Sequence, residues 1–200
     1  MRKWNHQDCQ TMPWKNGGGS STELAIFPHG AALDNFVWRL SSAQVDAPGP
    51  FSHFAGIDRS LAILSGDGLI LNGKDENSLP TRIRLDLSSA PYRFPGESAI
   101  HAELLGGPVL DLNLMTRRDV CSHSMQSLMP GEHQIVATEA SQILLYCAAG
   151  SATLQPAESM QVGDLVLLEE EHERAGIRFR LKVENESLLY LMRILPQGTS

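Results

Sequence analysis

The sequence predicts an all-β protein, built as two antiparallel β-barrels in one chain with few helices. Three observations carry this expectation. Short runs of strand length recur from Cys9 to Leu195, several of them alternating between apolar and polar residues. Gly, Pro, Asn and Asp punctuate those runs at regular intervals, as in sandwiches and barrels. No segment before Cys121 sustains an apolar period near 3.6. The pattern restarts at Met129-Pro130-Gly131, which places a seam near Cys121–Gly131 and divides the chain into residues 1–121 and 122–200.

In order, Cys9–Met12 reads as a lead strand stopped by Pro13, and Pro13–Glu23 as a glycine-rich loop at a pocket edge or on the surface. It is not a phosphate loop, because GxxxxGK[ST] is absent and the next segment, Leu24–Phe27, is a strand rather than a helix. Phe36–Val45 is a long alternating strand with Val37, Arg39, Ser41, Ala43 and Val45 on one side. Ala47–Pro50 ends it, an aromatic loop with Phe51 and Phe54 follows, and Leu61–Leu64 is the next strand. Gly66-Asp67-Gly68 supplies the positive-φ positions of a hairpin into Leu69–Leu71. Asn72-Gly73 reads as a tight turn, Lys74–Asn77 as a solvated loop, Thr81–Leu87 as a half-exposed strand and Ala90–Gly96 as a turn region. Ser98–Leu105 and Val109–Thr116 are strands, the latter with Asp111, Asn113 and Met115 on one face and three leucines on the other. Beyond the seam, His133–Thr138, Gln142–Ala148, Ala152–Leu154, Leu165–Glu169, Ile177–Val183 and Leu188–Leu195 are short strands, and Glu169–Arg174 is a charged loop.

Composition is that of an ordinary globular chain, 42% hydrophobic and 20% charged. A formal charge of −7, with scattered basic residues, argues against a nucleic-acid partner. The N-terminus lacks the apolar core of a signal peptide, and no apolar run approaches the roughly 18–20 residues of a membrane span. Cys9, Cys121 and Cys147 are odd in number and lack Cys-x-x-Cys spacing, which fits reduced thiols and a cytoplasmic location. Signatures of a hydrolase elbow and of a dinucleotide fold, GxSxG and GxGxxG, are missing. The seven histidines show no metal-ligand spacing, although His53, Glu97 and His101 on separate strands remain a conceivable ligand set.

What remains is a polar set on barrel walls: Arg39 and Ser41 on one strand face, Asp111 and Asn113 on another, with Asp58, Arg59 and Glu23 within reach. A buried arginine needs compensation. Either Arg39 or Arg59 is bonded to Asp58, Asp111 or Glu23, or arginine offers its planar fork to a ligand carboxylate while Asn or Asp reads an amide or ring N–H. The residues favour the ligand role for Arg39 and the structural role for Asp58 and Arg59. It also stays open whether this face or the leucine face points inwards.

Trp14-x-Asn16-Gly17 with Thr22-Glu23, Trp38-Arg39-x-Ser41-x-Ala43, Gly49-Pro50-Phe51-Ser52-x-Phe54-x-Gly56-x-Asp58-Arg59, Phe94-x-Gly96-Glu97 and Asp111-Leu112-Asn113-x-Met115-x-Arg117 together resemble the HutD/Ves family, with the ending Met115–Cys121 closer to the Ves branch. The match runs from about Met12 to Cys121, with a weaker second half in the expected place. The resemblance implies a bicupin, two cupin-like barrels sharing strands, without the usual cupin metal site; the comparable region, Phe51-Ser52-His53-Phe54, offers one histidine. HutD members are associated with histidine utilisation, which implies binding of a small pathway metabolite, such as urocanate or a formylated glutamate, in a regulatory or protective role. Ves-type members are linked to stress response, and no established reaction comes with the family.

The reading is therefore a metal-independent bicupin with no cofactor that binds a small carboxylate-bearing metabolite in the N-terminal barrel. Arg39 holds the carboxylate, Asp111 and Asn113 fix orientation, Trp14 or Phe51 supplies an apolar wall, and Ser41, Asn16 and Glu23 are further ligand-binding candidates. Its rivals are a metal-dependent isomerase or dioxygenase and a dimeric scaffold with a vestigial pocket; a homodimer is compatible with all three.

Overall fold

The computed structural model describes residues 1–74, 78–137, 142–156, 158–168 and 178–197. Among them the chain forms nineteen β-strands, one 3-10 turn (His6–Asp8) and no α-helix. The strands run β1 (Arg2–Asn5), β2 (Thr11–Pro13), β3 (Gly19–Phe27), β4 (Trp38–Val45), β5 (Gly49–Pro50), β6 (Ile57–Ser65) and β7 (Leu69–Lys74). They continue with β8 (Pro80–Leu85), β9 (Tyr92–Pro95), β10 (His101–Leu104), β11 (Val109–Arg117), β12 (Cys121–Leu128) and β13 (Gly131–Val136). The last six are β14 (Gln142–Ala149), β15 (Ser151–Leu154), β16 (Glu158–Gln161), β17 (Asp164–Leu168), β18 (Arg178–Val183) and β19 (Leu188–Pro196).

Two compact units result, one of Gln10–Val120 and one of Met1–Cys9 with Cys121–Ser200. In the first, a six-stranded sheet β2-β3-β4-β11-β6-β9 faces a four-stranded sheet β5-β10-β7-β8, and all pairings are antiparallel. Between them Leu61, Ile63, Leu69, Leu71, Phe94 and Ala102 form an apolar core. In the second, a five-stranded sheet β1-β17-β14-β19-β12 accompanies a four-stranded sheet β13-β18-β15-β16, and its core is purely apolar, with Ile135, Leu145, Met160, Val166, Leu181 and Leu189 at its centre. β1, which the sequence pattern does not announce, pairs with β17; Asp164 accepts hydrogen bonds from the Asn5 side chain (2.9 Å) and the Gln161 amide (2.8 Å), and Lys3 lies 3.2 Å from it.

Several local expectations shift. The strand after the glycine-rich loop begins at Gly19, so the loop is confined to residues 14–18. Asn72-Gly73 is not a turn but lies inside β7, opposite Arg82 and Thr81. A Cβ on Gly73 would come within 3.4 Å of Ile100, so the glycine serves close packing. Ala90–Gly96, read as a turn region, contains β9. Gly49-Pro50 is a short strand paired with β10. The charged loop 169–174 and residues 75–77 lie outside the described residues, as do Thr138 and Ile177.

The β6–β7 hairpin forms where the glycines place it, with φ of +93° at both Gly66 and Gly68. A methyl group on Gly68 would meet the Leu85 carbonyl as well as forcing an unfavourable φ. Gly68→Ala should therefore lose about 2 kcal/mol in chemical denaturation, whereas Gly107→Ala, which meets nothing within 4 Å and has no positive φ, should be near neutral.

Candidate functional site

Residues directly opposite each other in antiparallel strands project to the same side of a sheet. Across β4, β11 and β6 the register therefore builds three rows: Arg39–Met115–Arg59, Ser41–Asn113–Leu61 and Ala43–Asp111–Ile63. Neighbouring strands add Glu23 beside Ser41 and Phe94 beside Arg59. Leu61, Ile63 and Phe94 belong to the apolar core between the sheets, so this is the interior face of the barrel. The other face of the same strands, with Trp38, Leu40, Leu112 and Leu114, is equally buried. Both faces of β4 and β11 are thus inside the protein, and one carries the charge.

Arg39, 7% exposed, is compensated from within. Its Nε donates to Glu23 Oε2 at 2.9 Å and its Nη1 to Ser41 Oγ at 3.1 Å. A bulge between Glu23 and Ala25 on β3 sets the register that puts Glu23 there. Arg39, expected to meet a ligand carboxylate, already has a protein carboxylate at its Nε.

Arg59, expected to be the structural arginine, is in the opposite situation. It is 6% exposed, and its guanidinium carbon lies 5.0 Å from the Phe94 ring centre, 5.1 Å from Phe51 and 5.7 Å from Phe54. Its Nη1 donates to the Ser52 carbonyl at 3.3 Å, its Nε has no hydrogen-bond partner, and no carboxylate pairs with it among the described residues. Burial lowers its pKa to about 10, against the pull of Asp111 and assisted by Arg39, so it remains a cation at neutral pH. Stacking on aromatic faces stabilises the charge in part.

Asp111 and Asn113 complete the set. Oδ1 of each is buried and without a hydrogen-bond partner among the described residues. Burial raises the Asp111 pKa to about 7, opposed by Arg59 and by the Ala43 amide. The face thus presents one cationic donor and two acceptors with nothing bonded to Arg59 Nε, Asp111 Oδ1 or Asn113 Oδ1.

The remaining expected residues divide. Phe51 does form an apolar wall, under Arg59 and 6.2 Å from Phe94. Trp14 is half-buried; its Nε1 donates to Ser21 Oγ at 2.8 Å, and Ser21 lies opposite Ala43, on the Asp111 row. Asn16 is exposed and its Oδ1 accepts from the Gly18 amide, so it shapes the hairpin tip. Asp58 points to the other side of β6, bonded to Arg93 (2.7 Å) and Arg118 (2.8 Å). Burial works against its ionisation, but these bonds outweigh it and hold its pKa low.

The metal-ligand set does not assemble. His53 and His101 are exposed, and Glu97 is engaged by Arg118 at 3.0 Å, which holds its carboxyl at about 2. No cluster of three His, Cys, Asp or Glu suited to a metal exists among the described residues. No helix among them is long and apolar enough to cross a membrane.

A cavity of about 500 Å³ lies in the same unit, between β7, β8 and β9, with Leu71, Ile83, Tyr92, Phe94 and Ile100 in its wall. Phe94 borders both this cavity and Arg59. Sequence reading missed Arg59 as the open cation, and Phe54 and Phe94 as its neighbours. The available signal was the two-residue period of β6, which puts Arg59 in phase with Leu61 and Ile63.

Comparison with known proteins supports this architecture. The HutD family profile matches residues 6–191. The chain belongs to the HutD family. An uncharacterised protein from the hutC 3′ region of Pseudomonas putida is 42% identical over 111 residues, 54% of each chain. Protein Ves of Citrobacter koseri is 36% identical over 118 residues, 57% of this chain and 58% of that one. The chain thus spans just over half the length of these curated relatives. Over nearly the whole chain, HutD from Pseudomonas fluorescens SBW25, solved in a formate condition, superposes with a TM-score of 0.83 at 26% identity, covering 98% of this chain and 99% of that one. A conserved protein of unknown function from Pseudomonas aeruginosa PAO1 gives 0.83 at 29% identity, covering 97% and 98%. Oxalate decarboxylase of Bacillus subtilis, at 9% identity, a TM-score of 0.64 and coverage of 100% of this chain and 78% of that one, shares the cupin fold.

Two outcomes follow from the interior face. Glu23→Ala leaves the Arg39 charge buried without its partner and should cost about 2 kcal/mol, less than for a fully enclosed pair because Glu23 is partly exposed. Asp111 titrates higher in the folded chain than in the unfolded one, so its contribution is fully present below about pH 4 and is lost as pH rises through about 7. Asp111→Asn should flatten that part of the profile, with its Tm exceeding the parent's above pH 7 in a thermal-melt series.

Proposed function

We propose that this protein binds a small carboxylate-bearing metabolite in the barrel of residues 10–120, without a metal ion, and serves as a binding protein in a regulatory role. One observation carries the reading: Arg59 is buried over three aromatic rings with Nε unpaired, on the same face as unpaired oxygens of Asp111 and Asn113. An unpaired buried polar group costs about 1–3 kcal/mol. Three such groups on one wall are the polar half of a ligand site in an otherwise apolar barrel.

Arginine's planar fork suits a carboxylate, Asn113 offers an oxygen to an amide or ring N–H, and Asp111 adds a second unpaired polar group to the same wall. Arg39, held by Glu23, keeps the Ser41–Asn113 row in place. Urocanate combines a carboxylate with a ring N–H, and a formylated glutamate combines carboxylates with an amide N–H. The hutC neighbourhood of the Pseudomonas putida relative favours ligands from histidine degradation. The oxalate decarboxylase of Bacillus subtilis has Mn(II) centres. The described residues here bring together no group of three His, Cys, Asp or Glu that could hold a metal ion. Free thiols at Cys9, Cys121 and Cys147 favour a reducing, cytoplasmic compartment.

The test is a thermal-shift series with urocanate, N-formyl-L-glutamate, formate and common divalent ions. At about 100 times its dissociation constant a ligand adds roughly 2.7 kcal/mol, a rise of several degrees for a chain of this size. The expected result is a rise with at least one acid, abolished by Arg59→Gln in a variant whose circular dichroism is unchanged. A response to metal ions alone, or an acid response that survives Arg59→Gln, overturns the proposal.

A further inference from the structure

The charges on the interior face balance in a way that constrains what can enter. Arg39 and Glu23 neutralise each other through a direct hydrogen bond. That leaves one cation, Arg59 from β6, and one carboxyl group, Asp111 from β11, on a face otherwise made of Leu61, Ile63, Met115, Asn113 and Ser41. The strands facing it across the core contribute Leu69, Leu71 and Ala102, which are apolar, and β9 contributes Phe94 and Tyr92. Arg59 and Asp111 lean on each other electrostatically, yet Arg59 Nε and Asp111 Oδ1 are both unpaired. The guanidinium compensates one negative charge, not two.

We infer that a ligand carboxylate binding at Arg59 is accompanied by the uptake of one proton on Asp111, so that the site takes an acid as its anion plus a proton from solvent. This rests on the reading above. When the ligand anion arrives, the Arg59 charge serves it instead of Asp111. A second buried carboxylate on the same face would then be uncompensated, and two carboxylates that meet resolve that by holding one proton between them. The proton settles on Asp111 Oδ1, the oxygen without a partner, and turns it from an acceptor into an O–H donor towards the ligand oxygen, a strong charge-assisted bond. No bond of the ligand breaks. The net change is one ligand anion and one proton in, with Asp111 going from carboxylate to carboxylic acid. Burial has already raised the Asp111 pKa to about 7, so protonation is within reach at neutral pH.

The consequence is a specificity rule: the site discriminates by pH as well as by shape. It binds carboxylates tightly at mildly acidic pH and releases them as pH rises, although the ligands stay ionised throughout.

Isothermal titration of the full chain with N-formyl-L-glutamate and with formate tests this, in two buffers of different ionisation enthalpy between pH 6 and 8.5. At the upper end the expected result is an uptake approaching one proton per ligand, with Kd rising about tenfold per pH unit. In Asp111→Asn the uptake should vanish and Kd should become flat, tighter than the parent by about tenfold at pH 8.5. If the parent binds, Arg59→Gln does not, and no proton is taken up, the inference falls while the binding function stands. If Asp111→Asn folds but fails to bind at any pH, Asp111 acts as an ionised acceptor and the inference again falls. No binding of either acid to the parent overturns both.

Discussion

Two guanidinium groups share one interior sheet face, and an ionised side chain taken out of water must be compensated within a few ångströms. The barrel of residues 10–120 meets that constraint twice, by different means. Arg39 is answered by a carboxylate, which requires the bulge in β3 that brings Glu23 into register with Ser41. Arg59 is answered by rings and one carbonyl, which requires the loop carrying Phe51, Ser52 and Phe54 to stay folded over it. That loop is held at its far end. The Gly56 amide donates to Glu97 at 2.6 Å, the Phe54 amide to the Gly96 carbonyl at 2.9 Å, and Arg118 bridges Glu97 and Asp58. Asp58 and Arg59, adjacent in sequence and on opposite faces of β6, thus do complementary work. One anchors the loop outside, and the other receives it inside.

The second unit shows what the same architecture looks like without that constraint. Its core cluster is filled by aliphatic side chains, Met160 and Cys147. Its buried polar Asp164 is fully engaged by Asn5, Gln161 and Lys3 near the ends of β1, β16 and β17. The unusual chemistry of the chain is concentrated in the first barrel.

Most of the fold was readable from alternation and glycine placement, because a strand buried on one face declares its period and a hairpin declares its positive-φ residues. The Val37–Val45 and Asp111–Met115 faces were separated correctly. Errors arose where local signals and partners disagree. Asn72-Gly73 looks like a turn, but pairing with β8 carries the strand past it. Prolines flanking Tyr92–Phe94 conceal an edge strand. The partners of the two arginines were hidden for a deeper reason. Which carboxylate meets which arginine depends on cross-strand register, and the register between β3 and β4 is set by a bulge that no local pattern announces. Arg59 also sits beside Asp58, an obvious partner in sequence that the strand's alternation sends to the opposite face.

A crystal structure of the protein grown with N-formyl-L-glutamate tests the central claim most directly, because it locates the anion rather than its effect. The expected result is a carboxylate within hydrogen-bond distance of Arg59 Nε, over the Phe51, Phe54 and Phe94 rings, with Asp111 Oδ1 at a short O–H···O distance from it. A ligand bound elsewhere on the chain, with Arg59 unchanged, would contradict it.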